Sequence, residues 1–562
     1  MKSALLLLLA LLLGQRALAQ VTASPIASLS PLLDSAGIPG ASLAVIDQRG
    51  VVWAKGYGIR EAGKAAPVDQ NTVFSAASLG KPVFAYLVLK LVDEGKLDLD
   101  KPLYQYVPYH AIEHDARYKR ITARMVLSHQ TGFPNWRRGQ LNLLFEPGQR
   151  FSYSGEGFVY LQGVVMTILG KDVEEVAQQY VFKPLGMSRT SYRWQAAFDS
   201  NYATPHTSFG QPEALSRFNE TNVAFSLQTT AADYGRFLVA LLTGEGLKPA
   251  TARAFLTAQV TPGQTLRDTV RASTTVRWGL GVGLVQNGDE NGSWHWGDNG
   301  GFRGFAYVSR TRKQGFVYFT NSRNGASIFS ALATRILKQS VQPSTGFLGY
   351  PDYRSASVQV SRSLLTRGVT AAATPFLQKK PRTNSSPSSS QLTEDELLEL
   401  ADELTTNSQR AKAVELLALG TAYYPQSTKL LKGYGYACLQ QGDYPKAARV
   451  LRRYVAANPS DESARGLVQQ LTMPAKGNVT LHLRNFPTAH YITLAGSFNN
   501  WQPLRTLFRK DGSGWYCTLL LPPGKYPYRS IVDGNWQTDP DNTQTESDGQ
   551  GNTNSVLTVA ND

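Results

Sequence analysis

The sequence predicts a multidomain protein of three unlike blocks. An α/β (α+β) domain with an antiparallel sheet flanked by helices comes first, all-α helical hairpins follow, and an immunoglobulin-like β-sandwich closes the chain. Three observations predict this. Strand hairpins at both ends of residues 25–342 enclose a helix-rich middle, residues 392–472 repeat a helical pattern every 34 positions, and residues 477–560 alternate in short strands between Gly turns. At roughly 150 residues per domain, 562 residues also exclude a single domain.

In chain order, Lys2 followed by the apolar run Ala4 to Leu13 and by Ala17-Leu18-Ala19 reads as a cleavable secretion signal over 1–19, leaving Gln20 first. A secreted or periplasmic location is therefore expected. The run is too short to span a bilayer, and no later segment is apolar for the ~20 residues that spanning needs. Ala41 to Ile46 and Val51 to Tyr57 read as a hairpin turned at Gln48-Arg49-Gly50, and Phe305 to Val308 and Gly315 to Phe319 as a second. Residues 343–391 are expected to be a linker. About 356–378 suits one amphipathic helix, and Lys379 to Ser390 is rich in Pro and Ser.

In 392–472, Leu397 and Leu431, Ala401 and Gly435, Ala413 and Ala447, Leu417 and Leu451, and Pro425 and Pro459 each lie 34 apart. Small residues at helix crossings and a Pro closing each unit resemble tetratricopeptide repeats. The resemblance implies a protein partner docking on this block; a plain helical hairpin without a ligand is the alternative. Residues 461–472 are expected to be a capping helix.

The last block has strand patterns at 479–483, 491–495, 515–521 and 526–532, with turns at Asp511-Gly512, Pro523-Gly524 and Asp533-Gly534. Leu494 to Trp501, Pro523 to Tyr526, Val532 to Trp536 and Asn554 to Leu557 are similar to a glycan-binding module. That module occurs in isoamylases, glycogen-branching enzymes and the β subunit of AMP-activated kinase. The resemblance implies that Trp501 and Trp536 stack on glucose rings and that Arg529 and Asn554 bond sugar hydroxyls, with an α-glucan as ligand. Arg529 stands where glycogen-binding members carry Lys. A spacer with core tryptophans is the competing reading.

The chemistry lies in the first block. Ser78-Leu79-Gly80-Lys81 precedes a helical stripe of Phe84, Leu87, Val88 and Leu91. A serine at the start of that helix has a lysine one turn above it, and a desolvated lysine can take a hydroxyl proton. Tyr153-Ser154-Gly155 follows 75 residues later, and His295-Trp296-Gly297 after that. This order, with Ile121 to Gly132, resembles the serine β-lactamase and penicillin-binding family, closest to its class C, esterase and D-aminopeptidase branch. The resemblance implies a transpeptidase-like fold and an acyl-enzyme on Ser78. It implies Tyr153 as general base with its pKa lowered by Lys81, an oxyanion hole from the backbone N–H groups of Ser78 and Asp298, and close approach of the strand at Gly297. Gly155 replaces an Asn that contacts the substrate amide, and His295 replaces a Lys. Both departures favour esters, amides or D-amino-acid peptides over penicillins. An inactive hydrolase fold serving as a scaffold is the reading from another class.

Composition narrows the partners. The net charge of +15 is carried mainly by 33 basic against 24 acidic residues across 20–345 and 6 against 1 across 346–390. No basic run is interleaved with aromatics, so nucleic acid is not an expected partner. Cys438 and Cys517 lie in different blocks, which suits buried free thiols better than a disulfide framework. His110 to His114 has the form His-x-x-Glu-His, but no third ligand stands at a suitable spacing. No metal and no cofactor are expected.

Overall fold

The computed structural model describes residues 29–378, 390–472, 477–548 and 552–560, apart from positions 138, 265, 267–274, 289, 339 and 513. The expected secretion signal and residues 379–389 of the expected linker lie outside the described residues. The chain forms two units, Met1–Arg362 and Ser363–Asp562.

In the first unit, β1 (Gly40–Asp47) and β2 (Gly50–Gly58) form the first expected hairpin. β8 (Arg303–Ser309) and β9 (Gln314–Thr320) form the second. With β5 (Val276–Trp278), β6 (Gly283–Asn287) and β7 (Glu290–Asp298) they build a seven-stranded antiparallel sheet, β2-β1-β9-β8-β7-β6-β5. The pairing of β1 with β9 joins the two ends of the block. Side chains alternate across the sheet, as the strand period of two requires. Leu43, Phe305, Tyr307, Phe316 and Tyr318 enter a core with the helices Leu29–Ala36 and Phe329–Leu337. Ala44, Ile46, Ala306, Val308, Val317 and Phe319 enter a larger core on the other face. That core also holds α1 (Gly80–Asp93), α2 (Gly155–Leu169) and α3 (Ala231–Thr243), of which α3 packs on β1, β2 and β9.

α1 departs from the expected one-sided stripe. Eleven of its fourteen residues are buried, because it runs between the sheet and the other helices. Lys81 is the charged residue among them, fully buried. A short pair of strands, β3 (Phe74–Ala77) and β4 (Leu227–Thr229), feeds the turn that carries Ser78 into α1.

The linker is shorter than expected. Val341, Phe347 and Leu348 are buried in the first unit, so the chain from 341 to 353 belongs to its core. The single helix expected near 356–378 is two, Ala356–Arg367 and Val369–Leu377. The break falls at Gly368, whose φ of +81° no helix accommodates. The second of these helices packs in the second unit, where Thr370 Oγ1 donates to Glu415 at 3.2 Å.

The second unit contains the repeat. Helices Glu394–Thr406 and Arg410–Tyr423 are followed by Thr428–Gln441 and Tyr444–Ala457, starting 34 residues later in each case. Ala413, Ala447, Leu417 and Leu451 are all buried at the crossings. A further helix, Glu462–Thr472, caps the array. Its Gln470 Oε1 accepts the Leu507 N–H at 2.8 Å, which ties the helices to the strands that follow. Those strands form two sheets. The first is β10 (Val479–Leu483), β13 (Gly514–Leu519) and β12 (Arg509–Asp511). The second holds β11 (Ile492–Gly496), β14 (Gly524–Val532), β17 (Thr553–Val559) and β16 (Thr545–Ser547), with β15 (Asn535–Gln537) on β14. Leu483, Ile492, Leu494, Trp515 and Tyr528 fill the space between them. Cys438 and Cys517 are buried free thiols, pushed up to about 11 and about 12 by burial.

Candidate active site

Ser78 lies in the tight turn between β3 and α1, after Ala77 in the left-handed region at φ +51°. Strain of this kind is held only where the surroundings over-determine it. Here Gly297 of β7 abuts the turn: a Cβ on Gly297 would fall 2.2 Å from the Ala76 carbonyl oxygen. Gly297, expected to let the strand approach the acyl group, here lets it approach the backbone before the nucleophile.

Lys81 Nζ donates to Ser78 Oγ at 3.0 Å and to the Ala224 carbonyl at 2.7 Å. Burial brings its pKa down to about 7. When neutral, the amine keeps the Ala224 bond and turns a lone pair to the Ser78 hydroxyl. Tyr153 stands in the loop before α2, and Lys81 Nζ lies 4.9 Å from its ring centre. The Tyr153 hydroxyl is buried without a hydrogen bond of full geometry. Its pKa moves opposite to expectation: burial pushes the phenol well up, and the nearby Ser78 hydroxyl only partly opposes this. Lys81, rather than Tyr153, has the proton affinity of a base at neutral pH.

His295, which stands where the resembled family carries Lys, is buried on β7. On β7, Trp294 and Trp296 face one core and His295 the opposite side, 1% exposed and off the cleft wall. Its Nδ1 lies 2.8 Å from the Trp296 carbonyl oxygen and 2.9 Å from the Trp296 nitrogen, and its Nε2 has no partner. Burial, then the charge of Lys81, pushes it down to about 3, so the ring is neutral. Its ring centre lies 6.2 Å from that of Tyr153. The wall is formed by the neighbouring Trp296.

Ser78, Tyr153, Asp298 and Trp296 line a cleft of about 760 Å³ with Asn135, Trp136, Phe225 and Tyr350. Ser78 and Asp298, whose backbone N–H groups were expected to form the oxyanion hole, thus face one space. The Asp298 side chain, for which no role was expected, accepts Tyr350 OH at 2.6 Å and pairs with Arg303 at 2.5 Å. Gly155 is the first residue of α2, and a Cβ there would fall 2.3 Å from the Trp136 ring. Sequence reasoning missed Trp136, Phe225 and Tyr350, because they come from loops with no periodicity. It also missed His129, inside a segment it did mark. His129 is buried at φ +56°, accepts the Ser154 N–H at 3.0 Å and lies against Tyr153, with 4.3 Å between ring centres. Burial and then the Lys81 charge hold it neutral.

Of the two histidines of the His-x-x-Glu-His stretch, His110 contacts Glu113 of the stretch itself at 3.0 Å, and His114 contacts Asn142 at 3.2 Å. Among the described residues no group of three or more His, Cys, Asp or Glu is placed to hold a metal. Among those residues, too, no helix is long and apolar enough to cross a membrane.

In the second unit, the register of β14 with β15 pairs Ile531 with Trp536, which sets Arg529 and Trp536 on one face of their sheet. Arg529 Nη2 donates to the Trp536 carbonyl at 3.0 Å, and Trp536 is 41% exposed. Asn554, next to the Tyr528–Ser555 pair, is 5% exposed. Trp501 is half-buried beyond the end of β11 at φ +56°.

A sheet with helices on both faces, a serine in the turn into a core helix and a buried lysine bonded to it define a serine hydrolase of the Ser-x-x-Lys type. The chain belongs to the beta-lactamase family, whose model matches residues 26–340. Residues 404–471 match the tetratricopeptide repeat, and 483–562 match the glycogen recognition site of AMP-activated protein kinase. A solved class C beta-lactamase is similar in fold, with a TM-score of 0.50 and 19% identity over 57% of this chain and 96% of that one. Protein flp of Staphylococcus aureus is 25% identical over 197 residues, 32% of this chain. Unguisins hydrolase ungD of Aspergillus violaceofuscus is 26% identical over 185 residues, 28% of this chain. These matches span 39% and 32% of the two relatives' own lengths.

Proposed function

We propose that the protein is an exported serine hydrolase that works through an acyl-enzyme on Ser78, acting on esters, amides or D-amino-acid peptides in preference to β-lactams. The observation that carries this is the buried Lys81 amine 3.0 Å from Ser78 Oγ. Lys81 takes the hydroxyl proton as Ser78 Oγ bonds to the substrate carbonyl carbon. The backbone N–H groups of Ser78 and Asp298 receive the negative oxygen. The carbonyl–leaving-group bond then breaks, and the proton passes from Lys81 to the departing alcohol or amine, with the neutral Tyr153 hydroxyl beside the path. Water repeats the sequence on the acyl carbon and releases the acid. The intact trio argues against a purely scaffolding role. The preference over β-lactams is supported by Trp136, whose ring fills the space above Gly155.

The sandwich tethers the hydrolase to an α-glucan through the exposed Trp536, and the repeat block docks a protein partner. Turnover of a panel of nitrophenyl esters, D-amino-acid amides, D-Ala-D-Ala peptides and nitrocefin tests the substrate assignment. Ester or D-peptide turnover exceeding that of nitrocefin supports it. Rapid nitrocefin hydrolysis with negligible esterase activity reverses it.

A further inference from the structure

Trp136 and Phe225 make one wall of the cleft that holds Ser78. Their rings meet edge to face, with centroids 5.5 Å apart and planes at 83°. The backbone beneath the indole is fixed on both sides. The Gly155 N–H donates to Asn135 Oδ1 and to the Asn135 carbonyl, each at 3.0 Å, and the Glu156 N–H reaches the same carbonyl at 3.1 Å. Glu156, itself buried, accepts the Arg137 N–H at 3.1 Å. Trp136 is nevertheless 41% exposed and lines the cleft. Its position also depends on Gly155, because any Cβ there would fall within 2.3–2.7 Å of three of its ring atoms. An indole clamped in this way and left open beside a nucleophile is a surface built to be covered.

We propose that the Trp136–Phe225 wall is a subsite for a flat apolar group, and that the preferred esters or amides carry an aromatic or similarly planar substituent next to the scissile bond. This rests on the acyl-enzyme reading above and adds the substrate class to it. A planar group stacks on the indole face and meets the Phe225 ring at its edge. A puckered ring of equal size makes fewer contacts at stacking distance. The other aromatic lining residues are Tyr153, Trp296 and Tyr350; Trp296 is held in β7, and the Tyr350 hydroxyl donates to Asp298.

The test uses the full chain and two inhibitors that bond to an activated serine, phenylboronic acid and cyclohexylboronic acid. Their inhibition constants are measured for the wild type, Trp136→Ala and Trp136→Phe. The phenyl-over-cyclohexyl preference is expected to fall about fivefold in Trp136→Ala and to be largely kept in Trp136→Phe. Comparing the ratio between variants removes the intrinsic difference in boron acidity. A ratio unchanged in Trp136→Ala overturns the subsite, as does a wild type that favours the puckered ring. Failure of both boronic acids to inhibit, together with absence of Ser78 labelling by a serine-directed phosphonate, overturns the acyl-enzyme reading and this subsite with it.

Discussion

Lys81 Nζ lies 3.0 Å from Ser78 Oγ and 2.7 Å from the Ala224 carbonyl, inside a helix with nearly every side chain buried. The two contacts satisfy a neutral amine: one N–H goes to the carbonyl, and the lone pair is free for the hydroxyl. An ammonium in the same place would lack water and a counter-ion, which is why its pKa falls to about 7.

The pH profile follows from that value. The active form carries neutral Lys81, so kcat/KM for a non-ionising ester should rise tenfold per pH unit below about 7 and level off above it. Stopped-flow or steady-state rates from pH 5 to 9 check this. A profile flat across neutrality would mean that Lys81 is not the base.

The same group makes a stability prediction. Unfolding returns the Lys81 pKa from about 7 to its ordinary 10.5, so the unfolded chain binds more protons between these values and stability rises with pH across that window. The cost of burying the lysine is complete below about 7. Lys81→Met should therefore be inactive but more stable at pH 7, by about 3 kcal/mol after allowing for the unpaired Ala224 carbonyl. Urea titrations at pH 7 and pH 10 should show the gain shrinking at the higher pH. A variant less stable than the wild type at both would contradict the account.

Tyr153→Phe removes a buried hydroxyl with no full hydrogen bond of its own. It should lower kcat on the order of 100-fold through loss of proton transfer near the leaving group, while leaving the limb near pH 7 in place. Displacement of that limb would return the base role to Tyr153.

Gly155→Asn should destabilise the protein by about 1–3 kcal/mol, because the new Cβ falls on the Trp136 ring. In a Trp136→Ala background the same change should cost far less, since the ring is gone. Thermal unfolding of the four proteins measures the coupling, and equal costs in both backgrounds would show that the ring moves aside freely.

Much of this was legible in the sequence because local rules and tertiary structure agree. The strand pairs 41–46 with 51–57 and 305–308 with 315–319 alternate as a two-faced sheet must, and the 34-residue spacing of Ala413 and Ala447 survives as two buried helix crossings. Ser78, Lys81 and Tyr153 could be named because the first pair sits within one turn and the third belongs to an ordered motif. What could not be read was which side of β7 faces the cleft. A one-residue change of parity separates His295 from Trp296, and the motif spacing is the same for either. Trp136, Phe225 and Tyr350 were invisible for another reason: each comes from a loop, and only the folded chain brings them to one wall. Burial set the pKa order of Lys81 and Tyr153, and a list of neighbours along the sequence contains no burial.

The central claim is a covalent intermediate on Ser78. The most direct measurement is mass spectrometry of the full chain quenched during turnover of a nitrophenyl ester, followed by peptide mapping. An acyl adduct on the peptide holding Ser78 in the wild type, and none in a folded, inactive Ser78→Ala protein, is the predicted result. Undiminished hydrolysis by Ser78→Ala, or turnover with the adduct on another residue, would contradict it.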